Sequence, residues 1–179
     1  MRVLGLMLSL LTSLSLSSAH AADRPASASP FTDPVPYCQA VTAIDAPDAK
    51  YQGPAVPDWM VSALYTPQEI AAQKGSGGYP RRSIGWRCMN GSVFGCVQAN
   101  SPICGKANQD KTPTTAMADF CAGQPNAENI PLAVIGHENP MIYDWTCKGK
   151  EPAIARQIFK VDGQGFPSEL WDKIAPPNK

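Results

Sequence analysis

The chain has few histidines, no net charge and no closely spaced cysteine pairs. It contains two histidines in 179 residues, and 15 basic residues balance 15 acidic ones. Because nucleic acids and anionic membranes attract a broad cationic surface, a balanced chain is not expected to bind nucleic acid. His137 is the one histidine beyond residue 21, so the sequence supplies little for an imidazole-based catalytic or metal site.

The motifs of common catalytic and nucleotide-binding sites are also absent. The sequence has no Gly-x-Ser-x-Gly elbow, no glycine-rich phosphate loop ending in Lys-Ser or Lys-Thr, and no His-Glu-x-x-His. It therefore predicts no catalytic residue, no cofactor and no metal. If the chain is nevertheless a small hydrolase, Glu138 and Asp144 are the carboxylates that we expect to act, with His137 beside the first of them.

Long apolar runs are missing except at the start of the chain. A basic Met1–Arg2 precedes the apolar run Val3–Leu16, and Ala19–Ala21 has the small-residue pattern at which signal peptidase cuts. The run is shorter than the roughly 20 apolar residues that a membrane span requires. We therefore expect residues 1–21 to be a signal peptide, the mature chain to lack a transmembrane segment, and the protein to be periplasmic or secreted.

Cysteines are present in an even number, and all six lie beyond the predicted signal peptide. They are Cys38, Cys88, Cys96, Cys104, Cys121 and Cys147. In an exported chain this indicates disulfides, because oxidising compartments keep such pairs closed. Zinc would favour Cys-x-x-Cys pairs or added histidines, and a catalytic thiolate would favour an unpaired cysteine with a base. We therefore expect three disulfides.

The stretch around Asn90–Gly91 predicts a β-hairpin. Asn-Gly between apolar-rich runs favours a two-residue turn, which places Met89 opposite Ser92. Since side chains alternate along a strand, Cys88 and Cys96 would project from opposite faces and should not bond each other. Each of these cysteines is then expected to bond to a separate element.

Two helices are predicted from the signals at their ends. In the first, Thr66 caps the start, Glu69 completes a capping box and Gly75 ends the helix. The second is predicted within residues 112–125, starting at Thr112–Pro113.

The second predicted helix carries one of the cysteines. Cys121 lies within it, and Cys104 precedes it along the chain. One pairing that the sequence allows is therefore Cys104 with Cys121 across the intervening loop.

The C-terminal part of the chain predicts further strands. Residues 130–147 indicate two strands around a turn at 138–140, with Tyr143, Trp145 and Cys147 on one face. Residues 152–161 fit a third antiparallel strand slightly better than a helix. Residues 166–174 fit either a strand or a helix.

Together these elements predict an α+β fold, mostly antiparallel β, in a small disulfide-stapled domain with one or two short helices. The proline-rich residues 22–57 are expected to be extended or partly disordered, with Cys38 anchoring them. Residues 58–78 would form a helical lead-in with a glycine-rich connection, and residues 79–179 the β-rich domain. No internal repeat is evident in the sequence.

Four residues are candidates for binding a partner, namely Arg87, Tyr143, Trp145 and Lys148. Tyr143 and Trp145, together with Trp86, would form a platform for a sugar ring or a protein if they were exposed. Packing inward around the disulfides is the arrangement that we expect. The sequence thus favours an exported, non-enzymatic binding module, inhibitor-like in mode, for another protein or a glycan. The alternatives are a small envelope hydrolase and a structural envelope component.

Overall fold

The computed structural model describes residues 30–73, 80–98, 103–136 and 139–177. Its helices are α1 (Pro34–Val41), α2 (Asp58–Leu64), α3 (Pro67–Ala72), α4 (Thr115–Gly123) and α5 (Leu132–Ile135), and its strands are β1 (Ile84–Met89), β2 (Ser92–Val97), β3 (Tyr143–Lys148), β4 (Glu151–Gln157) and β5 (Asp172–Ile174). The predicted signal peptide, the glycine-rich connection at 75–78 and the pair at 137–138 lie outside the described residues.

The strands form two small antiparallel sheets. One has the order β1-β2-β5, and the other consists of β3 and β4. The predicted α+β class with short helices is therefore confirmed. Within the described ranges, no helix is both long enough and apolar enough to cross a membrane.

The hairpin β1–β2 has the predicted register. Met89 lies opposite Ser92, and the turn residues Asn90 and Gly91 both have positive φ, at 51° and 71°. A type I′ turn requires this conformation at both central positions. The Asn-Gly pair therefore fixes the register, and with it the face from which each cysteine projects.

Three disulfides join the six cysteines, in the pairs Cys38–Cys88, Cys96–Cys104 and Cys121–Cys147. Cys88 and Cys96 bond to separate elements, as predicted from their opposite faces. The suggested pairing of Cys104 with Cys121 is wrong. Cys104 closes a short loop back onto β2, and Cys121 of α4 bonds to β3.

The proline-rich N-terminal segment is more regular than its composition predicts. It was expected to be extended or partly disordered, but it contains α1, in which Tyr37 and Cys38 are fully buried. Asp33 accepts a hydrogen bond from the backbone N–H of Val35, and Pro34 occupies the first turn, where its missing N–H costs nothing. Prolines here begin a helix instead of preventing one.

The helix predictions hold with small shifts. Thr66 and Glu69 form the predicted capping box of α3. Helix α4 ends at Gly123 as predicted but starts after Thr114, whose hydroxyl accepts a hydrogen bond from the N–H of Met117. The predicted start at Thr112 is two residues early, and Thr112 instead lies in a local turn in which its N–H donates to the Asp110 side chain.

The strand predictions at the C-terminal end are mixed. Residues 143–148 and 151–157 are strands as expected, whereas the strand predicted from residue 130 is replaced by α5. Ile130 donates to the carbonyl of Trp145, but Pro131 has no N–H to continue the ladder and caps α5 instead. Residues 166–174 divide into a 3₁₀ turn at 168–170 and β5.

Two parts of the structure share a set of features that is not evident in the sequence. We call α1 with the hairpin β1–β2 the first unit, and α4 with the hairpin β3–β4 the second unit. In each, a helical cysteine preceded by an aromatic residue (Tyr37 or Phe120) bonds to a strand cysteine. That strand cysteine lies two residues after a tryptophan and shortly before a two-residue hairpin turn.

Backbone contacts repeat along with the disulfides. The residue six positions after the helical cysteine pairs with the strand cysteine in both units. Ile44 exchanges two hydrogen bonds with Cys88, and Ala127 accepts one from the N–H of Cys147. Trp86 in the first unit and Trp145 in the second therefore occupy equivalent positions.

Candidate binding groove

Three of the four predicted partner-binding side chains lie inside the protein. Arg87 is 0% exposed, Trp145 2% and Tyr143 8%, whereas Lys148 lies on the surface. Trp86 is buried as well, so the flat platform considered for sugar rings does not form. The rings face inward because they share a strand face with the disulfide-bonded cysteines.

Arg87 is a structural residue that joins β1 to the turn at 162–165. Its Nη2 forms an ion pair with Asp162, and its Nη1 donates to Oε1 of Gln164 at 2.8 Å. The guanidinium carbon lies 4.3 Å from the ring centroid of Phe166 and 4.7 Å from that of Trp171. These contacts compensate a buried charge, which is why the arginine is not available to a partner.

Asp162 carries the other half of this ion pair. Burial raises the pKa of Asp162, but the backbone N–H groups of Phe166 and Gln164 and the Arg87 guanidinium together lower it by more. The pKa therefore lies below the ordinary value of 3.8. The carboxylate is held ionised as a structural partner and is not tuned for proton transfer.

Tyr143 and Trp145 line a groove of about 450 Å³, which we call the Trp145 groove. Most of the other lining side chains are apolar. The lining residues are Ile103, Asn129, Ile130, Leu132, Ile135, Asn139, Pro140, Met141, Tyr143, Asp144, Trp145, Ile158, Phe159 and Leu170.

The second unit positions the groove. Strand β3 supplies the tyrosine and tryptophan, and the N–H of Ile130 holds the start of the α5 region against the carbonyl of Trp145 at 2.8 Å. The residues after β4 are held from the other side, since the N–H of Ile158 donates to the carbonyl of Ile142 at 2.8 Å. Leu132 is the first residue of α5, directly after its N-cap residue Pro131.

Exposed apolar side chains concentrate at this groove. In the described ranges the large hydrophobic side chains that remain exposed are Leu132, at 49%, and Ile158, at 37%, and both line it. Single exposed apolar residues are common on protein surfaces. Two of them on one apolar groove make this groove the candidate binding site of the described residues.

The two equivalent tryptophans differ in their hydrogen bonding. Trp86 Nε1 donates to the backbone carbonyl of Ala55 at 2.7 Å. Trp145 Nε1 is buried and has no hydrogen-bond partner among the described residues. A buried donor without an acceptor typically costs about 1–3 kcal/mol, so Trp145 is where the second unit is incomplete relative to the first.

The groove has few groups that could carry chemistry. Its carboxylate is that of Asp144, whose Oδ2 is bonded to Nε of Arg156 at 2.6 Å. Glu138, the other carboxylate considered for a hydrolase, lies outside the described residues. Across the described ranges, no group of three His, Cys, Asp or Glu side chains could hold a metal ion.

Among the described residues, the outer edge of β4 is another surface at which a peptide could add, and its sequence disfavours this. Hairpin pairing places Pro152 opposite Cys147, whose N–H points away from β4, so position 152 points to the open edge without a donor. A β-bulge leaves Ala155 without a residue opposite. Proline and bulges are devices that keep edge strands from pairing.

Comparisons with known proteins give no assignment for this chain. No family model, no curated protein and no solved structure matches it. The candidate site therefore rests on the geometry described above.

Proposed function

We propose that this chain is an exported, non-enzymatic binding module that holds an apolar segment of another protein in the Trp145 groove. The observation that carries this proposal is the coincidence of the exposed Leu132 and Ile158 with one preformed apolar groove. Such grooves, with few polar groups, are the usual form of a binding site.

The energetics favour an apolar partner. Leu132 has about half of its surface still exposed, so covering it would contribute roughly 1 kcal/mol. Asp144 is paired with Arg156, so the described lining residues offer no unpaired charge to select a charged ligand. An apolar side chain of a partner protein meets both conditions.

The disulfides support the proposed compartment. Three closed pairs among the described residues suggest an oxidising environment. Together with the predicted signal peptide, they support a periplasmic or secreted protein, so the partner is sought in the envelope or outside the cell.

Photo-crosslinking tests this function. A photoreactive benzoylphenylalanine is placed at Leu132 and, as a matched control, at the exposed Ala155 on β4. Oxidised protein is irradiated with the envelope and secreted fractions of its native host. We expect a discrete protein adduct from position 132 and none from position 155.

A second variant makes the adduct diagnostic of the groove. Ile158→Asp introduced into the chain that carries the crosslinker at 132 should abolish the adduct, because it places a charge in the apolar groove. Equal labelling from positions 132 and 155, or an adduct that survives Ile158→Asp, would refute the proposed site.

A further inference from the structure

We infer that the occupant of the Trp145 groove is a proline-containing peptide segment whose backbone carbonyl accepts a hydrogen bond from Trp145 Nε1. This inference rests on the proposed function and specifies the partner of the same groove. It comes from the first unit, in which the chain itself covers the equivalent tryptophan.

The cover of Trp86 is a short irregular segment, residues 52–57, with the sequence Gln-Gly-Pro-Ala-Val-Pro. Its central residue Ala55 supplies the carbonyl that accepts from Trp86 Nε1. The segment bends at Gly53, Ala55 and Val56, and it ends at Pro57, which is the N-cap residue of α2. An acceptor carbonyl between two prolines is therefore what this protein uses against an indole N–H.

Flanking contacts hold the segment beside the tryptophan. The Tyr51 ring centroid lies 5.0 Å from that of Trp86, and the Tyr51 hydroxyl donates to the carbonyl of Pro54 at 2.9 Å. Arg81 Nη1 donates to the carbonyl of Val56 at 2.5 Å. Successive carbonyls of the segment are thus recognised by side chains, as in the recognition of proline-rich ligands.

The second unit lacks this cover in the part that the structure describes. Trp145 matches Trp86 in its distance from the strand cysteine, in its strand face and in its place before the hairpin turn. Pro131 and α5 follow the equivalent helix, yet no described residue supplies an acceptor to Trp145 Nε1.

Entry of a peptide requires a local movement. Trp145 Nε1 has almost no accessible surface, so a carbonyl reaches it only after a neighbouring side chain shifts. Helix α5 is a single turn with Leu132 exposed, which makes it the element that can move most easily. The new hydrogen bond then satisfies a donor that has no acceptor among the described residues.

Proline suits this groove for two further reasons. It restricts the free peptide to extended conformations, so less conformational entropy is lost on binding than with a flexible peptide. The peptide also needs no charge, which matches a groove whose carboxylate is already paired.

A phage-displayed random heptapeptide library, selected on the oxidised full chain, tests the inference. We expect clones enriched in proline whose binding is lost when Leu132 is changed to Asp. In synthetic versions of these peptides, replacing each proline by alanine should weaken binding about tenfold for two prolines.

The indole N–H signals give a direct readout of the hydrogen bond. The chain has four tryptophans, and the Trp145 signal is identified by its loss in Trp145→Phe. Titration of ¹⁵N-labelled protein with a selected peptide should move the Trp145 Nε1–H signal downfield and leave that of Trp86 in place. Leu132→Ala, a surface change that should not affect folding, should weaken the same titration.

The outcomes separate this inference from the function on which it rests. Groove-dependent clones without proline enrichment, or peptides that bind without moving the Trp145 signal, overturn the inference and leave the binding groove intact. Failure to select any clone, together with a specific adduct at position 132, means that the groove binds a folded surface and also overturns it. Absence of both clones and adduct overturns the proposed function as well.

Discussion

The first and second units share a disulfide, a tryptophan and a hairpin turn, but they are covered to different extents. In the first unit, one face of β1–β2 packs against Tyr37 and Met60, and the other against Phe166 and Trp171. In the second, the face with Trp145 is buried, while the opposite face is half-buried or exposed. The first hairpin is thus packed on both faces, whereas the second is packed mainly on the face that carries Trp145.

The middle residue of each Trp-x-Cys motif shows the consequence of this difference. Arg87 points to the second covered face of its hairpin and is fully buried with Asp162. The equivalent Thr146 is half-buried, and its hydroxyl donates to the carbonyl of Ala127 at 2.8 Å. On the covered face, the charge of Arg87 is compensated by an ion pair and aromatic contacts. On the open face, the neutral side chain of Thr146 makes one hydrogen bond.

Removal of the disulfides should give the largest effects. The pair Cys38–Cys88 spans 50 residues and Cys121–Cys147 spans 26. From loop-closure entropy, replacing the cysteines by alanine is expected to cost about 4 kcal/mol in the first unit and about 3.5 kcal/mol in the second. Chemical denaturation of the two double variants measures both values.

The third disulfide is the internal control for this comparison. Cys96–Cys104 spans 8 residues, so its loss should cost only about 2.5 kcal/mol. If this variant is destabilised as much as the one lacking Cys38–Cys88, loop length does not govern these effects.

Changing the middle residue should separate the two units next. Arg87→Met removes one partner of a buried ion pair and leaves Asp162 without its cation, with an expected cost of about 3 kcal/mol. Thr146→Val removes one neutral hydrogen bond, with an expected cost of about 1 kcal/mol. Thermal and urea unfolding of the two variants provide the comparison, and equal costs would contradict it.

Acid titration gives a second readout on the Arg87 pair. Because the folded pKa of Asp162 is below 3.8, the folded state binds fewer protons than the unfolded state just below that pH. The stability from this carboxylate is present above pH 3.8 and is lost as the pH falls through the folded pKa. Asp162→Asn should therefore flatten the acid limb of the stability curve relative to the wild type.

The sequence predicted the parts of the fold that depend on local chemistry. Asn90–Gly91 requires two positive φ angles, and Thr66 with Glu69 satisfies the free N–H groups of a helix end, so the hairpin register and the start of α3 are determined within a few residues. The separation of Cys88 from Cys96 follows from side-chain alternation alone.

Features that depend on contacts between distant residues could not be predicted. Arg87 looks like a surface cation until Asp162, Phe166 and Trp171 are brought around it from the far end of the chain. The Trp145 groove was predicted only in part. Tyr143 and Trp145 were candidates for binding. Leu132 and Ile158 were not, because nothing in their local sequence distinguishes an exposed apolar side chain from a buried one.

The smallest and most informative comparison is between the two tryptophans. Trp86→Phe leaves the Ala55 carbonyl without its donor and shortens a ring packed against Tyr37 and Tyr51, so about 2.5 kcal/mol of stability should be lost. Trp145→Phe removes a donor that has no acceptor among the described residues, so the loss should be only about 1.5 kcal/mol. Urea unfolding of both variants, with tyrosine fluorescence and circular dichroism as probes, measures the difference.

A difference of about 1 kcal/mol in this direction is what the missing cover of the second unit predicts. Equal losses would mean that Trp145 Nε1 is bonded in solution, either by water or by a residue outside the described ranges. Both indole N–H groups would then be hydrogen-bonded, and the groove would have no unpaired donor to offer a peptide. Stability measured on the free protein therefore tests the basis of the binding proposal before any ligand is known.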